Sequence, residues 1–375
     1  MTKTKVAIAC QGGGSQTAFT AGALQAILRD PDFGQEYEVV ALSGTSGGAV
    51  CCLLTWYGLL AHPPSDPDRG ERTARLLEAF WEANSARGWY MATVNAAAVT
   101  IHQLQDNGWI GQFPPPGTAP LLPLALRDGL RDLIERFVCF EDIPALLARD
   151  PSHPTLLVGA VDVLNGTFAV FQEACPDPDW QRQRDTSLPP AVGIEPVLAS
   201  AAIPPSMPAT LIGGKRYWDG LYAHNPPIRD LISGHTTRPD ETWVIQIDPQ
   251  SIPRLPIGSG AITDRRFELA SNLSLNAEIH WIKQINQWVD DGTLPADKFK
   301  TIKVGRVQID RTLAAGLDLA SKINRAPDYL NELMADGERE MQSFLRRRSD
   351  SDSDIWEVYP RGYQPEHALP DIAVP

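Results

Sequence analysis

The sequence is poor in the residues that hold small secreted domains and metal centres together. Only five of its 375 residues are cysteines, and the spacing of Cys10, Cys51, Cys52, Cys139 and Cys175 matches no metal-ligand pattern. An odd number of scattered cysteines is typical of reduced thiols in a cytoplasmic protein. We therefore expect neither a structural metal nor a disulfide framework.

Basic residues are also scarce. There are 33 lysines and arginines against 46 aspartates and glutamates, which gives a net charge of -13. A nucleic-acid-binding protein needs a basic face to neutralise phosphates, and no part of this sequence concentrates basic residues in that way. The charge balance therefore argues against nucleic acid as a partner, and also against electrostatic docking on anionic lipid.

Long hydrophobic runs are missing as well. The longest, Ala49 to Ala61, is shorter than the roughly 20 residues that a helix needs to cross a bilayer, so we interpret it as a buried helix. The apolar run Val6 to Cys10 is too short for the core of a secretory signal and is interpreted as the first core strand. With 43% hydrophobic residues, the chain can bury a large core. We expect a cytoplasmic protein without a transmembrane segment.

A serine bracketed by glycines follows the second predicted strand. Gly44 and Gly48 flank Ser46 in the pattern G-x-S-x-G, between a strand-like run that begins at Tyr37 and the apolar helix. This pattern is typical of a nucleophile elbow, a strained strand-to-helix turn that exposes a serine hydroxyl. The helix that follows would direct its free N–H groups towards the serine. The alternative is a serine in an ordinary glycine-rich turn.

A glycine loop lies between the first predicted strand and helix. Residues Gly12, Gly13 and Gly14 bring backbone N–H groups close enough to hold one oxygen atom, as an oxyanion hole or a phosphate cradle. The dinucleotide pattern G-x-G-x-x-G fails, because its third glycine is Thr17 here. Consecutive β-α units of a parallel sheet place their loops at the same edge, so this loop and the serine turn should face one another. A purely structural turn is the other interpretation.

The third motif is RYWDGLYAHNPP, residues 216 to 227. Asp219-Gly220 places a carboxylate on a tight turn, and Asn225-Pro226 fixes a second turn behind it. The pattern therefore predicts an aspartate held rigidly towards a partner. A plain hairpin turn is the alternative.

Together these motifs, with the segment ASAAIPPSMPA at residues 199 to 209, resemble the patatin-like acyl hydrolases in order and spacing. The resemblance covers residues 5 to 250. It implies a three-layer α/β/α fold with a mainly parallel central sheet, formed as a catalytic domain over residues 4–250. Residues 251–375 are expected to form a largely helical extension that packs on or completes the core.

The resemblance also implies the roles of individual residues. Ser46 would be the nucleophile and Asp219 the second member of a Ser-Asp dyad, with no metal or organic cofactor. The implied oxyanion hole consists of Gly12, Gly13, Gly14 and Gly47. The residues implied to support the elbow and the turn are Gly44, Gly48, Gly220 and Asn225. The implied substrates are acyl esters of lipids, as for a phospholipase A or a lysophospholipase, with transient contact to a membrane or micelle surface. An acyltransferase on the same dyad and a catalytically silent lipid-binding module are the alternatives.

The sequence departs from the family pattern at two positions. Many members carry a basic residue where this chain has Gln16, and a second glycine where it has Leu221. Loss of the basic residue favours lysophospholipids or neutral esters, because less positive charge is available to a phosphate head group. Neither change removes a catalytic atom.

A histidine base remains the mechanistic alternative to the dyad. The candidates are His224, His235 and His280, which follow plausible acids in the chain order used by α/β-hydrolases. For His224 and His280 the simpler interpretations, as a turn residue and a helix-surface residue respectively, are favoured.

Two further segments yield structural expectations. Asn165-Gly166 between two apolar runs predicts a β-hairpin with a type I′ turn. Residues 88 to 124 combine aromatic residues and prolines with little charge, which suits a lid or the wall of a cleft. The alternative there is a proline-rich connection with Trp89, Trp109 and Phe113 packed on the core.

Overall fold

A computed structural model describes residues 2–106, 121–150, 152–172, 193–233, 238–252, 254–348 and 354–357. Within these ranges the strands form one sheet. They are β1 (Thr4–Cys10), β2 (Tyr37–Gly44), β3 (Thr155–Asp162), β4 (Thr167–Gln172), β5 (Thr210–Ile212), β6 (Lys215–Asp219), β7 (Glu241–Gln246) and β8 (Lys303–Gln308).

The sheet is mainly parallel, as expected. Its strand order is β5-β6-β3-β2-β1-β7-β8, and β4 pairs with β3 outside this path. Strands β3, β2, β1, β7 and β8 are parallel neighbours, whereas β4 and β6 run antiparallel to β3. Since β1 and β2 are parallel neighbours, the loops that follow them leave the same edge of the sheet.

Helices cover both faces of this sheet. They are α1 (Ala18–Leu28), α2 (Gly47–Ala61), α3 (Arg69–Asn84), α4 (Trp89–Asp106), α5 (Leu121–Glu135), α6 (Ile143–Arg149), α7 (Ile194–Ser200), α8 (Arg229–Ser233), α9 (Ser259–Asp290), α10 (Arg311–Ala314) and α11 (Pro327–Arg348). Short 3-10 helices span Gly14–Thr17, Phe140–Asp142, Gly220–Tyr222 and Ala320–Ile323. Within the described ranges, no helix combines the length and the hydropathy needed to cross a membrane.

The alternation of side chains along β1 separates two apolar cores. Val6 and Ile8 pack into the larger core, which α1, α2 and α11 cover. Ala7 and Ala9 pack into the smaller core, which α8 and α9 cover. Because successive strand residues point to opposite faces, one buried strand serves both cores. The result is the expected arrangement of helices, sheet and helices.

The C-terminal residues contribute to the same sheet and to the larger core. Strand β8 pairs in parallel with β7, and α11 packs on α1. Glycines allow the two helices to touch: a Cβ on Gly22 would overlap the carbonyl oxygen of Met334, and one on Gly337 would overlap that of Phe19. The boundary proposed at residue 250 thus separates two hydrogen-bonded neighbouring strands.

The hairpin at Asn165-Gly166 is confirmed, but its predicted turn type is wrong. Strands β3 and β4 pair antiparallel from Leu157–Gln172 to Asp162–Thr167. A type I′ turn needs positive φ at both central residues, and only Gly166 has it, at 63°. The Asp162 carboxylate instead accepts hydrogen bonds from the N–H groups of Leu164 and Asn165. That side-chain cap favours a longer turn.

Residues 88 to 124 are described only in part. Trp89, at the start of α4, is 83% exposed, so the expectation that it packs on the core is wrong. Trp109 and Phe113 lie outside the described residues.

Candidate active site

The serine turn has the backbone geometry of a nucleophile elbow. Ser46 lies between β2 and α2 with φ of 53° and ψ of -129°, and it is the single non-glycine residue with positive φ in the described ranges. Such a conformation costs on the order of 1–3 kcal/mol and persists only where the surroundings impose it. Close backbone contacts impose it here: a Cβ on Gly44 would lie 2.6 Å from Gly48 O, and one on Gly48 would overlap Cys10 O.

Asp219 lies at the end of β6 with no exposed surface. Its Oδ1 accepts a hydrogen bond from Leu221 N at 2.9 Å, while Oδ2 has no hydrogen-bond partner among the described residues. Burial raises the pKa of this carboxyl to about 7, against the opposing effects of the Leu221 N–H and the Ser46 hydroxyl. The fold therefore brings Ser46 and Asp219 together from positions 173 residues apart.

The glycine loop lies directly against the elbow. A Cβ on Gly12 would lie 2.6 Å from the Ser46 Cβ, and one on Gly47 would lie 3.0 Å from Gly14 O. The N–H of Gly12 donates to Asn225 Oδ1 at 2.7 Å, so this N–H is not free to bind another acceptor. In the described part of the chain, no acceptor is bonded to the N–H groups of Gly13, Gly14 or Gly47.

Sequence reasoning missed Ser200 as a support of the elbow. The N–H of Ser46 donates to Ser200 Oγ at 2.9 Å, and Ser200 Oγ donates to Gly159 O at 2.6 Å. Ser200 thus ties the serine turn to β3 from the end of α7. Ser200 lies in the ASAAIPP segment, which contributed to the family resemblance but did not by itself indicate a bond to the elbow. Thr45 adds a second tie, since its hydroxyl donates to His224 O at 2.9 Å.

His224 makes its ring contacts with α9 and β4, His280 is exposed, and His235 falls outside the described ranges. The Nδ1 of His224 contacts the carboxylate of Glu278 in α9, and its ring is tilted at 53° to that of Phe168, with centroids 4.2 Å apart. No hydrogen bond joins its ring to Ser46 or Asp219 among the described residues. His280 is on the exposed face of α9, and His235 falls in a part of the chain that is not described.

Aromatic side chains border the aspartate. Trp218 precedes it in β6, and its ring centroid is 6.2 Å from that of Tyr222, which in turn is 6.1 Å from Phe267. Burial and the charge of Asp219 together raise the pKa of the Tyr222 hydroxyl. These three rings, the aromatic wall hereafter, form a contiguous aromatic surface, and Tyr222 is the ring close enough to Asp219 to be affected by its charge.

Residues 8–232 match the family model described as patatin-like phospholipase. The chain belongs to this family. The matched range contains the glycine loop, the elbow, Ser200 and the Asp219 turn, which the fold collects at one edge of the sheet.

Solved structures resemble this chain at low sequence identity. VipD from Legionella pneumophila is 12% identical, with 92% of this chain and 67% of VipD covered and a TM-score of 0.42. ExoU of the Pseudomonas aeruginosa type III secretion system, in complex with SpcU, is 14% identical, with 92% of this chain and 53% of ExoU covered and a TM-score of 0.31. A second ExoU–SpcU complex is 13% identical, with 92% of this chain and 52% of that chain covered and a TM-score of 0.34. This chain thus spans about half the length of ExoU. No curated protein matches it in sequence.

Proposed function

We propose that this member of the patatin-like family is a serine lipid acyl hydrolase of the phospholipase A or lysophospholipase type, acting through a Ser46-Asp219 dyad. One observation carries the proposal. A serine held at positive φ at the start of a helix lies beside a buried carboxylate that has one unpartnered oxygen. A serine hydroxyl is a weak nucleophile at neutral pH and needs an adjacent base. The free Oδ2 of Asp219 can serve as that base.

In the acylation step, Asp219 takes the hydroxyl proton of Ser46 while Oγ attacks the ester carbonyl carbon. The C–O π electrons move onto the carbonyl oxygen and form a tetrahedral oxyanion. When this intermediate collapses, the bond to the alcohol breaks and the proton on Asp219 passes to the leaving oxygen. An acyl-enzyme on Ser46 and a free alcohol or lysolipid result.

Backbone N–H groups stabilise the oxyanion in this proposal. Gly13, Gly14 and Gly47 are the proposed donors, because their N–H groups have no acceptor among the described residues. Gly12 is not proposed as a donor, since its N–H is bonded to Asn225. It instead allows the close approach of the loop to Ser46. Removal of one such donor typically costs about 10²–10³ in kcat.

Hydrolysis of the acyl-enzyme uses the same groups. Asp219 takes a proton from water, the resulting nucleophile attacks the acyl carbon, and the second oxyanion lies in the same hole. Collapse breaks the bond to Ser46 Oγ, which recovers its proton from Asp219. The products are a fatty acid and the free enzyme.

The surroundings of the dyad favour an apolar acyl group. The aromatic wall provides a surface on which a hydrocarbon chain can bury area. Gln16, two residues beyond the glycines, is 3% exposed and bonded to Ser321. No cation is therefore supplied there to a phosphate head group, and we propose lysophospholipids or neutral esters as substrates, taken from a membrane or micelle surface.

A fluorophosphonate probe tests this proposal. The parent protein should gain the mass of one phosphonyl group and the Ser46→Ala variant none, with fatty acid released only by the parent from lysophosphatidylcholine micelles. Labelling without fatty acid release, but with transfer of the acyl group to an added alcohol, would indicate an acyltransferase. A folded parent that is neither labelled nor active would show a silent lipid-binding module.

A further inference from the structure

A segment near the C-terminus closes one side of the glycine loop. Gln16 donates through Nε2 to Ser321 Oγ at 2.8 Å and to Asp318 O at 3.3 Å. A Cβ on Gly14 would overlap the carbonyl oxygen of Lys322. The backbone of residues 318–325, the C-terminal clamp hereafter, therefore limits where the loop can move.

The ammonium of Lys322 anchors the clamp. Its Nζ lies 2.8 Å from Asp264 Oδ1 in α9 and 3.4 Å from Asp248 Oδ1 beyond β7. The side chains of Lys322, Asp264 and Asp248 are 16%, 12% and 4% exposed. Removal of one partner from a largely buried ion pair leaves the other charge uncompensated, which is strongly destabilising locally. The hold of Lys322 on the clamp therefore depends on the positive charge of its ammonium group and on the burial of its side chain.

Further hydrogen bonds hold the clamp at its other end and link it back to the loop. Asn95 of α4 donates through Nδ2 to Asn324 Oδ1 at 2.9 Å and accepts from Arg325 N at 2.8 Å. Gln11, which precedes the three glycines, accepts from Asp248 N at 2.8 Å. Lys322, Asp248 and Gln11 therefore form a continuous connection beside the loop.

We propose that Lys322 is a positioning residue for acyl transfer, because it fixes the C-terminal clamp against Gly14 and Gln16 and thereby holds the N–H groups of Gly13 and Gly14 in place. The inference rests on the proposed function, since those N–H groups matter only if an oxyanion forms at Ser46. Glycines lose more conformational freedom on ordering than other residues. Donors to an oxyanion must nevertheless lie within a few tenths of an ångström of their best distance, so a loop of three glycines gains from an external support.

Steady-state kinetics with a soluble p-nitrophenyl ester test the inference. In Lys322→Met we expect kcat to fall by about ten- to a hundredfold, with KM changed by less than about twofold, because misplaced donors weaken transition-state binding more than ester binding. Lys322→Arg keeps the positive charge and should recover part of the lost kcat. The rate of phosphonylation by the fluorophosphonate should fall in parallel with kcat.

Lys283 of α9 provides a matched control. Lys283 also has a side chain that is 16% exposed, and it pairs with Glu357 at 3.2 Å, but it makes no contact with the glycine loop. Lys283→Met should therefore leave kcat unchanged. Hydrogen exchange of peptides covering residues 10–19 adds a readout that does not depend on activity. Exchange there should speed up in Lys322→Met and not in Lys283→Met.

A second variant keeps the inference testable if Lys322→Met does not fold. Gln16→Met replaces a buried amide by an apolar side chain of similar length and removes the bond to Ser321, so kcat should fall severalfold with little change in KM. Parent values of kcat and exchange in either folded variant would overturn the inference, as would equal losses in Lys283→Met. If the parent itself is not labelled at Ser46, the proposed function fails and the inference falls with it.

Discussion

Gly12 donates its backbone N–H to the side chain of Asn225 at 2.7 Å, across 213 residues of sequence. Asn225 also donates through Nδ2 to Ser271 Oγ at 2.9 Å in α9, and it is buried. The asparagine therefore joins the glycine loop, the turn after Asp219 and a helix of the opposite layer. This amide is therefore one of the links, with the bond from Thr45 to His224 O, that hold the two halves of the proposed dyad in register.

Replacement of Asn225 should consequently lower activity without touching a reacting atom. Asn225→Ala leaves the Gly12 N–H and the Ser271 hydroxyl without their partner, which costs about 1–3 kcal/mol for each buried group left unsatisfied. We expect kcat to fall by at least about tenfold, together with a lower Tm. Asn225→Asp keeps an acceptor for Gly12 and should recover part of the kcat. Parent-like kcat in Asn225→Ala would show that the loop needs no such tie.

The glycines of the loop should differ in their tolerance of a side chain. A Cβ at Gly12 would meet Thr45 O at 2.5 Å and the Ser46 Cβ at 2.6 Å, whereas the nearest atom to one at Gly13 would be the Ile247 Cγ2 methyl at 2.8 Å, which belongs to a side chain and not to the backbone. We therefore expect Gly12→Ala to lose both activity and stability. Gly13→Val should remain folded, as circular dichroism can show, and lower kcat by about 10² or more through displaced donors. An unchanged kcat in folded Gly13→Val would mean that the loop is only a turn.

Two replacements of Ser46 separate chemistry from backbone strain. Ser46→Ala and Ser46→Gly should both abolish fluorophosphonate labelling, since each lacks the hydroxyl. Glycine adopts a positive φ without strain, whereas alanine does not. Ser46→Gly should therefore be more stable than Ser46→Ala by about 1 kcal/mol in urea unfolding, because the relief of strain exceeds the larger loss of backbone entropy that glycine undergoes on folding. Equal stabilities of the two variants would contradict a strained elbow.

Removal of the Asp219 charge should raise stability at alkaline pH. An aspartate in the unfolded chain has a pKa of about 3.9, and burial raises it to about 7 in the folded protein. The folded state therefore favours the protonated carboxyl, and stability falls as pH rises between these values, by about 4 kcal/mol at most. Asp219→Asn should thus be more stable than the parent in urea unfolding at pH 8 and no more stable at pH 4.

Asp336→Asn is the matched control for that measurement. Asp336 is 1% exposed, but its carboxylate accepts from Asp310 N and pairs with Arg339. Loss of a satisfied buried charge should lower stability at pH 8. If Asp219→Asn behaves in the same way as this control, the Asp219 carboxylate has a partner in solution and the proposed base is not free.

The pH profile of kcat/KM should have its acid limb near pH 7, because Asp219 must lose its proton before it can act as base. A histidine would titrate near about 6.5, so the limb alone does not identify the base. Substitution does: Asp219→Asn should cost on the order of 10⁴ in kcat, while His224→Ala, His235→Ala and His280→Ala should each stay within about tenfold. A folded histidine variant as inactive as Asp219→Asn would replace the dyad by a triad.

The sequence was informative where local chemistry determines geometry. The pattern around Ser46 predicted a turn that only flanking glycines allow, and the apolar runs before Gly12 and Gly44 predicted adjacent parallel strands. The first prediction follows from interactions within a few residues and the second from the strand–helix–strand order of the chain, and the family match covers most of that part of the chain.

What the sequence did not show depends on contacts between distant residues. Nothing near Gly12 indicates that its N–H is bonded to Asn225, or that Ser200 accepts from Ser46. The pKa of Asp219 depends on burial by several elements at once, which no motif encodes. The type I′ turn was predicted wrongly for a related reason, because the Asp162 side chain changes the preference of the Asn-Gly pair.

The packing of α1 has a consequence for the growing chain. Every residue of α1 is buried, yet part of its cover is α11, which is translated some 300 residues later. A nascent chain in which the Ser46 and Asp219 motifs have already been synthesised still exposes part of this apolar helix to solvent or to chaperones. Vectorial synthesis therefore passes through a partly covered, aggregation-prone intermediate, and α1 gains its full cover only after α11 has been translated.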